Sequence, residues 1–500
     1  MVFNSIEFII FFLVVGIFYY ALPKKYQNPV LIVANYMFYA FFAIKLIPYL
    51  VLTTVFTYFI CMKIGKAEDN STAKKWLILG VVIDAGVLCI YKYLNFGANI
   101  ITVLINKMGL EVELPRINLL VPLGISFITF QTISYMADIY KKRISCENSF
   151  FKYALYVSFF PNIVQGPIMK AGDMMPQFDY IHKFDSYKFK KGFLEALYGL
   201  FFKMVLADRL AVVVNSVYSN LGEYSGAAIL LATIAFSLQI YFDFAGYSLI
   251  SIGVARILGF NLIDNFRQPY LSSSVGEFWR RWHMSLNIWL RDYIYIPLGG
   301  SRTTVLRASL NILITFGISG LWHGADSGYV IWGLLNGAYV VLEKNLRRLS
   351  TTKIVDSNRE KSAGLKTVRK VCGCIITYIL VSFAWIFFRA QKLSLAFTAI
   401  KNIFFNFQWK NFIIWTNSCF TSEEGIFLGL SEYSWKYLIK MLIVAFVVDL
   451  ILQKLDISEK VVKGNIVLRW TIYLLLMFTV IIGGMYGYGY EASAFIYTGF

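Results

Sequence analysis

The chain has 500 residues, of which 58% are hydrophobic, 18% aromatic and only 15% charged, and its mean hydropathy is +0.61. Repeated apolar runs of ~20 residues exclude a soluble globule and specify a polytopic helical membrane protein, and their continuity excludes an alternating β-barrel pattern. The net charge of +18 is concentrated in short loops between these runs, the positive-inside pattern, which excludes nucleic acid as the partner it would otherwise suggest.

The first apolar run, Ile6 to Leu22, lacks a basic leader and a small-residue cleavage site, so it reads as a retained span. Lys24 and Lys25 after it place the N-terminus outside the cell. Pro29 to Phe42, Pro48 to Met62 and Trp76 to Leu94 are further spans, the last carrying Asp84 and Lys92 two turns apart. Leu119 to Tyr140 follows and ends at Lys141-Lys142-Arg143; its Gln131, Tyr135 and Asp138 form an i, i+4, i+7 polar stripe that should face the bundle interior.

Phe159 to Pro167 is apolar but broken by Pro161, Gly166 and Pro167, and such backbone cannot face lipid. It should be re-entrant or line a cavity, with Gln165 among the lining groups. Phe193 to Tyr218 embeds Lys203, Asp208 and Arg209, and Ala227 to Phe260 embeds Gln239, Tyr241, Asp243 and Tyr247, too many polar groups for a lipid-facing helix.

Ser274 to Tyr293 is a polar, aromatic stretch in greasy surroundings. Ser274 and Glu277 have capping-box spacing, and Pro297, Gly299 and Gly300 supply a stop, which predicts one helix. On that helix Arg280, His283, Asn287 and Arg291 share one stripe, while Phe278, Trp282, Trp289 and Tyr293 share the opposite one. About 40 residues later Leu321-Trp322-His323-Gly324 closes the apolar run from Leu310. The chain has three histidines, and the third, His182, lies in a charged loop. Burying an ionisable group in hydrocarbon costs on the order of 3 kcal/mol or more, so His323 and His283 are functional candidates.

Tyr329 to Leu342, Val371 to Phe388, Leu438 to Leu452 and Trp470 to Met485 are the late spans. Between Glu343 and Lys370 nine Lys/Arg face three acidic residues, a cytoplasmic loop that leaves the tail from Gly487 to Phe500 outside. The expectation is all-α, about ten to twelve spans with re-entrant segments, in one domain covering residues 1–500. Six scattered cysteines lack zinc-site spacing, and no HExxH, Walker A or GxSxG sequence occurs, so neither a metal nor a bound cofactor is expected.

Glu277 to His283 together with Leu321 to Gly324 resemble the membrane-bound O-acyltransferases, in the branch of bacterial alginate and cell-wall polysaccharide acetyltransferases. Val121 to Phe127, Phe130-Gln131-Thr132, Gln165 to Ile168, Tyr241 to Ser248 and Arg291 to Gly300 agree, and the motif core runs over 118–346. The resemblance implies helices in a ring around a funnel in a bacterial cell membrane. It implies a cytosolic thioester donor such as acetyl-CoA, a secreted partner of the SGNH-hydrolase type, and a polysaccharide acceptor. It maps the family's near-invariant histidine onto His323 and a branch-specific one onto His283. The tail resembles the ending of D-alanylation proteins, in which a tyrosine is a proposed acyl relay, here Tyr497.

Acyl transfer from a thioester needs a base for the incoming hydroxyl, and a neutral imidazole suits that task. His323 takes this role. His283 positions the acceptor or the thioester carbonyl, or braces the site. Arg280, Arg281 and Arg291 attract the donor's phosphates or act as cytoplasmic anchors, Asn287, Gln165 and Asp243 line the funnel, and Asp326 is a further group placed to orient His323. Two rival readings stay open at this point: D-alanyl transfer to teichoic acid, and a transporter or scaffold without chemistry.

Overall fold

The computed structural model describes residues 2–110, 115, 117, 119–353, 363–410 and 428–486. Every regular element among them is helical, as a hydrocarbon solvent requires of a chain that must satisfy its own backbone. Among the described residues six helical runs are long and apolar enough to cross a membrane: Lys24–Gly65, Asn70–Lys107, Gly226–Ile257, Val305–His323, Lys366–Ala390 and Ile466–Gly483. Ile6–Ala21 and Leu393–Phe405 are shorter apolar helices. The protein is a multi-pass helical membrane protein.

The described residues pack as two compact units: one takes residues up to 196 and 247–264, the other 197–246 and the chain from 265 onward. The first contains α1 (Ile6–Ala21), α2 (Gln27–Ala43), α3 (Ile47–Gly65), α4 (Asn70–Lys107), α5 (Ile125–Tyr140), α6 (Phe150–Ser158), α7 (Phe160–Ile163), α8 (Ala171–Met174) and most of α9 (Ser186–Leu200). Side-chain caps fix several of the starts: Ser5 accepts from the Phe8 N–H, Asp69 from Thr72 and Ser149 from Lys152.

The polar stripe read on α5 is buried as expected, with Gln131, Tyr135 and Asp138 all inside. The broken segment from Phe159 to Pro167 is likewise enclosed by protein. Asn35 Oδ1 accepts the Phe160 N–H at 3.0 Å, and the Ser251 hydroxyl donates to the Pro161 carbonyl. These side chains replace the backbone partners that the kink removes. Gln165 is buried here, and its Oε1, like both polar atoms of Asn162, has no hydrogen-bond partner among the described residues.

The second unit opens with a π-helix, Phe201–Ala207, continued by α10 (Asp208–Ser219) and the first part of α11 (Gly226–Ile257). Next come α12 (Val275–Arg281), α13 (Met284–Leu290), a second π-helix at Arg291–Tyr295, α14 (Val305–His323), α15 (Ser327–Lys353), α16 (Ala363–Ala390) and α17 (Leu393–Phe405). Helices Glu432–Leu452, Ile457–Lys463 and Ile466–Gly483 complete the unit. Thus the single helix expected over 274–293 is two short helices and a π-turn, with the chain bent at His283.

The α14–α15 hairpin is drawn tight by missing side chains. A Cβ on Gly320 would lie 2.4 Å from the Tyr329 carbonyl oxygen, and one on Gly333 would lie 2.3 Å from that of Phe316. Small residues that let backbones approach this closely are how membrane helices gain packing energy, since lipid offers no hydrophobic drive between them. The hairpin presents His323, the last residue of α14, to the start of α15.

Gly320→Ala should therefore destabilise the purified protein by about 1–3 kcal/mol through overpacking. Gly16→Ala, where nothing lies within 4 Å, should leave the thermal midpoint in detergent unchanged or slightly raised. Equal midpoints for the two variants would contradict the close approach.

Candidate active site

Ser274 begins α12 as the sequence predicts, accepting from the Glu277 N–H at 3.2 Å. The reciprocal arm of the capping box is displaced by one residue: Glu277 Oε2 accepts from both the N–H and the hydroxyl of Ser273, at 2.9 and 2.8 Å. Glu343 from α15 takes the Gly276 N–H at 2.8 Å, so carboxylates from two helices complement this N-terminus. The helix lasts seven residues.

It ends because Trp282 is extended and His283 adopts the left-handed conformation, with φ 44° and ψ 55°. Histidine is among the few non-glycine types that enter this region readily, yet the position still stores strain that surrounding contacts must hold. Two asparagines do so. Asn265 Oδ1 accepts from the Ser285 N–H at 3.2 Å and the Ser285 hydroxyl at 2.7 Å, and lies 3.3 Å from His283 Nδ1. Asn287 Nδ2 donates to the carbonyls of Trp279 at 2.7 Å and Trp282 at 2.6 Å, which the interrupted helix leaves open.

These contacts fix a tautomer. A backbone N–H can only donate, so the Asn265 atom facing Ser285 is oxygen, and His283 Nδ1 must be the protonated nitrogen. Nε2 then carries the lone pair, and it has no hydrogen-bond partner among the described residues. The imidazole is 1% exposed.

The other imidazole is enclosed by aromatic rings. His323 lies 4.7 Å from Trp322, 5.0 Å from Trp332 and 5.2 Å from Phe388, ring centre to ring centre. Trp322 also lies 6.0 Å from His283, which makes it a ring common to both histidines. Phe244 closes the far side of His283 at 4.6 Å, edge to face. Trp279, Trp332 and Trp385 continue the wall at 5.7 and 5.3 Å, and their indole N–H groups have no acceptor among the described residues. Buried donors are nearly always paired in folded proteins, so three orphans in one wall mark a place suited to a ligand bearing acceptors.

The end of α16 is gripped by Gly328, whose N–H donates to the Gln391 carbonyl at 2.7 Å. A Cβ there would meet that oxygen at 2.3 Å. This grip sets Phe388 against His323 and Trp385 against Trp332. Asp326 stands at the approach to the start of α15, its carbonyl accepting the Tyr329 N–H at 3.1 Å.

The remaining sequence candidates divide. Asp243 sits inside the protein in an ion cluster: Lys203 Nζ lies 2.8 Å from both Asp208 Oδ1 and Asp243 Oδ1. It anchors α11 to the first π-helix, one residue before the ring that packs on His283. Arg281 pairs with Glu277 at 2.5 Å and Arg291 with Asp292 at 2.7 Å, while Arg280 and Arg291 are exposed. Gln165 belongs to the first unit, and Tyr497 lies outside the described residues. The third histidine, His182, donates Nε2–H to the Gln177 carbonyl at 2.9 Å, and burial lowers its pKa, so it is a neutral structural group. Among the described residues no group of three His, Cys, Asp or Glu side chains is placed to hold a metal ion.

Nothing in the sequence singles out Asn265, Trp332, Trp385 or Phe388, and Phe244 lies in the Tyr241 to Ser248 stretch without being marked as a neighbour of His283. Asn265 precedes His283 by 18 residues and carries no motif, and the rings are indistinguishable in sequence from the many other aromatic residues of the spans.

The sequence profile of the membrane-bound O-acyltransferase family matches residues 140–386. The chain is 37% identical over 412 residues to a probable alginate O-acetylase of Azotobacter vinelandii, covering 82% of this chain and 79% of that protein. It is 34% identical over 436 residues to a peptidoglycan O-acetyltransferase of Helicobacter pylori, covering 81% and 80%. A teichoic acid D-alanyltransferase of Bacillus subtilis is 24% identical over 296 residues, 55% of this chain and 71% of that protein. With two buried histidines set in one aromatic wall and relatives that align over four-fifths of its length, the chain belongs to the membrane-bound O-acyltransferase family and is an O-acyltransferase.

Proposed function

We propose that the protein O-acetylates an extracytoplasmic polysaccharide, taking the acetyl group from a cytosolic thioester, acetyl-CoA, and passing it across the cell membrane to a secreted SGNH-type partner. The observation that carries this reading is the pair of imidazoles on either side of Trp322, each buried in a membrane protein that has only three histidines. Support for acetyl and for a polysaccharide comes from two relatives named for alginate and peptidoglycan O-acetylation. The D-alanyl relative aligns over a smaller share of the chain.

In the proposed reaction the hydroxyl oxygen of the acceptor bonds to the thioester carbonyl carbon and the carbon–sulfur bond breaks. His323 takes the hydroxyl proton and returns it to the leaving thiolate, so no net proton is consumed. His283, held as the Nδ1–H tautomer, offers its Nε2 lone pair to a donor on the acceptor and so aims it. The indole N–H groups of Trp279, Trp332 and Trp385 are the donors available to the carbonyl oxygen as negative charge develops. Arg280 and Arg291, exposed on the α12–α13 segment, suit the donor's phosphates.

Tyr497 is the proposed relay on the far side, with both termini extracytoplasmic. A cytosolic donor and an external tyrosine let the acetyl group cross while the carrier thiol stays behind.

The test feeds radiolabelled acetyl-CoA to inverted vesicles and identifies the molecule that acquires the label. Label on a tyrosine-containing C-terminal peptide or on sugar supports the proposal, whereas label only on lipid, or transfer only from a D-alanyl carrier thioester, overturns it. His323→Gln should lower the rate by about 10²–10⁴-fold, the usual value of a general base, in protein that still elutes as one species. Asn265→Leu should cost about 10–100-fold by releasing the orientation of His283, the magnitude found when a histidine loses its orienting partner. Asn265→Asp, which still accepts from Nδ1–H, should retain more of the rate than Asn265→Leu.

A further inference from the structure

Far from His283 and His323 in sequence, α3 and α4 of the first unit enclose a cavity of about 550 Å³, lined by Lys45, Tyr49, Leu52, Phe56, Asp84 and Tyr91 among others. Leu52 is 68% exposed, and only 17% of the apolar window of α4 is buried, so the mouth opens toward hydrocarbon. A carboxylate in such a place is the anomaly. Asp84 is 4% exposed, accepts a hydrogen bond from Thr132 of α5, and has no ion-pair partner among the described residues.

The cavity is charged at two levels. Tyr49 and Tyr91 meet ring to ring at 6.0 Å, which sets the beginning of α3 beside this part of α4. Asp84 lies seven residues from Tyr91, or ~10 Å along the axis of α4. Lys45, just before α3, stands at the Tyr49 end, so a cation marks the rim and an anion marks the depth. Two phenol rings flank the path between them, and aromatic faces attract ammonium groups. The complement of this pattern is a molecule with a phosphate and an amine a few atoms apart, attached to chains that remain in lipid.

We propose that this cavity binds the head group of an amine-bearing phospholipid, its phosphate on Lys45 and its primary ammonium on Asp84. An intramembrane ionisable residue signals a functional site, with a partner to be named, and here the partner is the lipid ammonium. The phosphate–lysine and ammonium–carboxylate contacts are both charge-assisted, and the second forms where water is scarce and such bonds are strongest. The proposal is independent of the acyl-transfer reading, since it uses none of the residues in the second unit.

The full chain, purified in detergent, is incubated with vesicles of equal phosphatidylethanolamine, phosphatidylcholine and phosphatidylglycerol, and retained lipid is read by native mass spectrometry. The expected adduct is phosphatidylethanolamine, preferred by about tenfold over each of the others, and Asp84→Asn should abolish that preference. Equal retention of phosphatidylcholine would show that the primary ammonium is not recognised, and preferred retention of phosphatidylglycerol would reduce the site to Lys45 alone. Either result overturns the proposal, as does Asp84→Asn protein with an unchanged preference. Val87 also lines the cavity, so Val87→Trp fills it and leaves Asp84 in place, and it serves where Asp84→Asn fails to fold. It should also lose the adduct, and full retention there would contradict the assignment.

Discussion

A membrane interior offers no water to repair an open hydrogen bond, and the α12–α13 joint is built around that constraint. Breaking a helix at His283 exposes carbonyls of α12 and forces a left-handed residue. Asn287 closes the carbonyls, and Asn265 gathers the Ser285 N–H, the Ser285 hydroxyl and His283 Nδ1 around a single oxygen. An uninterrupted helix would need neither asparagine, and it would leave the imidazole on an ordinary helix face. The break costs strain and yields a histidine with a fixed tautomer, its lone pair on the nitrogen away from the anchor.

The second imidazole is placed by different means. Gly320 and Gly333 remove the bulk that would separate α14 from α15, and Gly328 does the same where α15 meets the end of α16. Three consecutive helices therefore converge at His323, and the space between them is filled by Trp322, Trp332, Trp385 and Phe388. Large flat rings fill volume at low entropic cost while leaving an N–H as a polar handle. The wall is therefore largely apolar and still carries indole N–H donors, the groups that the proposed reaction would use.

Much of this was legible in the chain itself. Apolar run lengths marked the helical class, the 131/135/138 stripe marked a buried face, and the prolines around Pro161 marked backbone that protein must cover. Two histidines in greasy sequence marked the candidate site, and the structure sets both against Trp322. The joint at His283 was not legible, because helical periodicity continues smoothly through Arg280, His283, Asn287 and Arg291, and nothing in that spacing registers a left-handed residue. Nor was Asn265 or Phe388, whose roles arise from contacts across 18 and 65 residues, counted to His283 and His323. Asp243 was legible as a buried polar group but not as the partner of Lys203, because the π-helix that turns Lys203 inward leaves no local sign.

Everything proposed about the chemistry stands on the claim that acyl transfer occurs at the wall shared by His283 and His323. A structure of the protein with a non-hydrolysable thioether analogue of acetyl-CoA tests that claim most directly. The predicted result is density for the acetyl carbonyl in contact with the His323 imidazole and at least one of the orphan indole N–H groups. A well-occupied analogue whose acetyl group lies away from both histidines would contradict it.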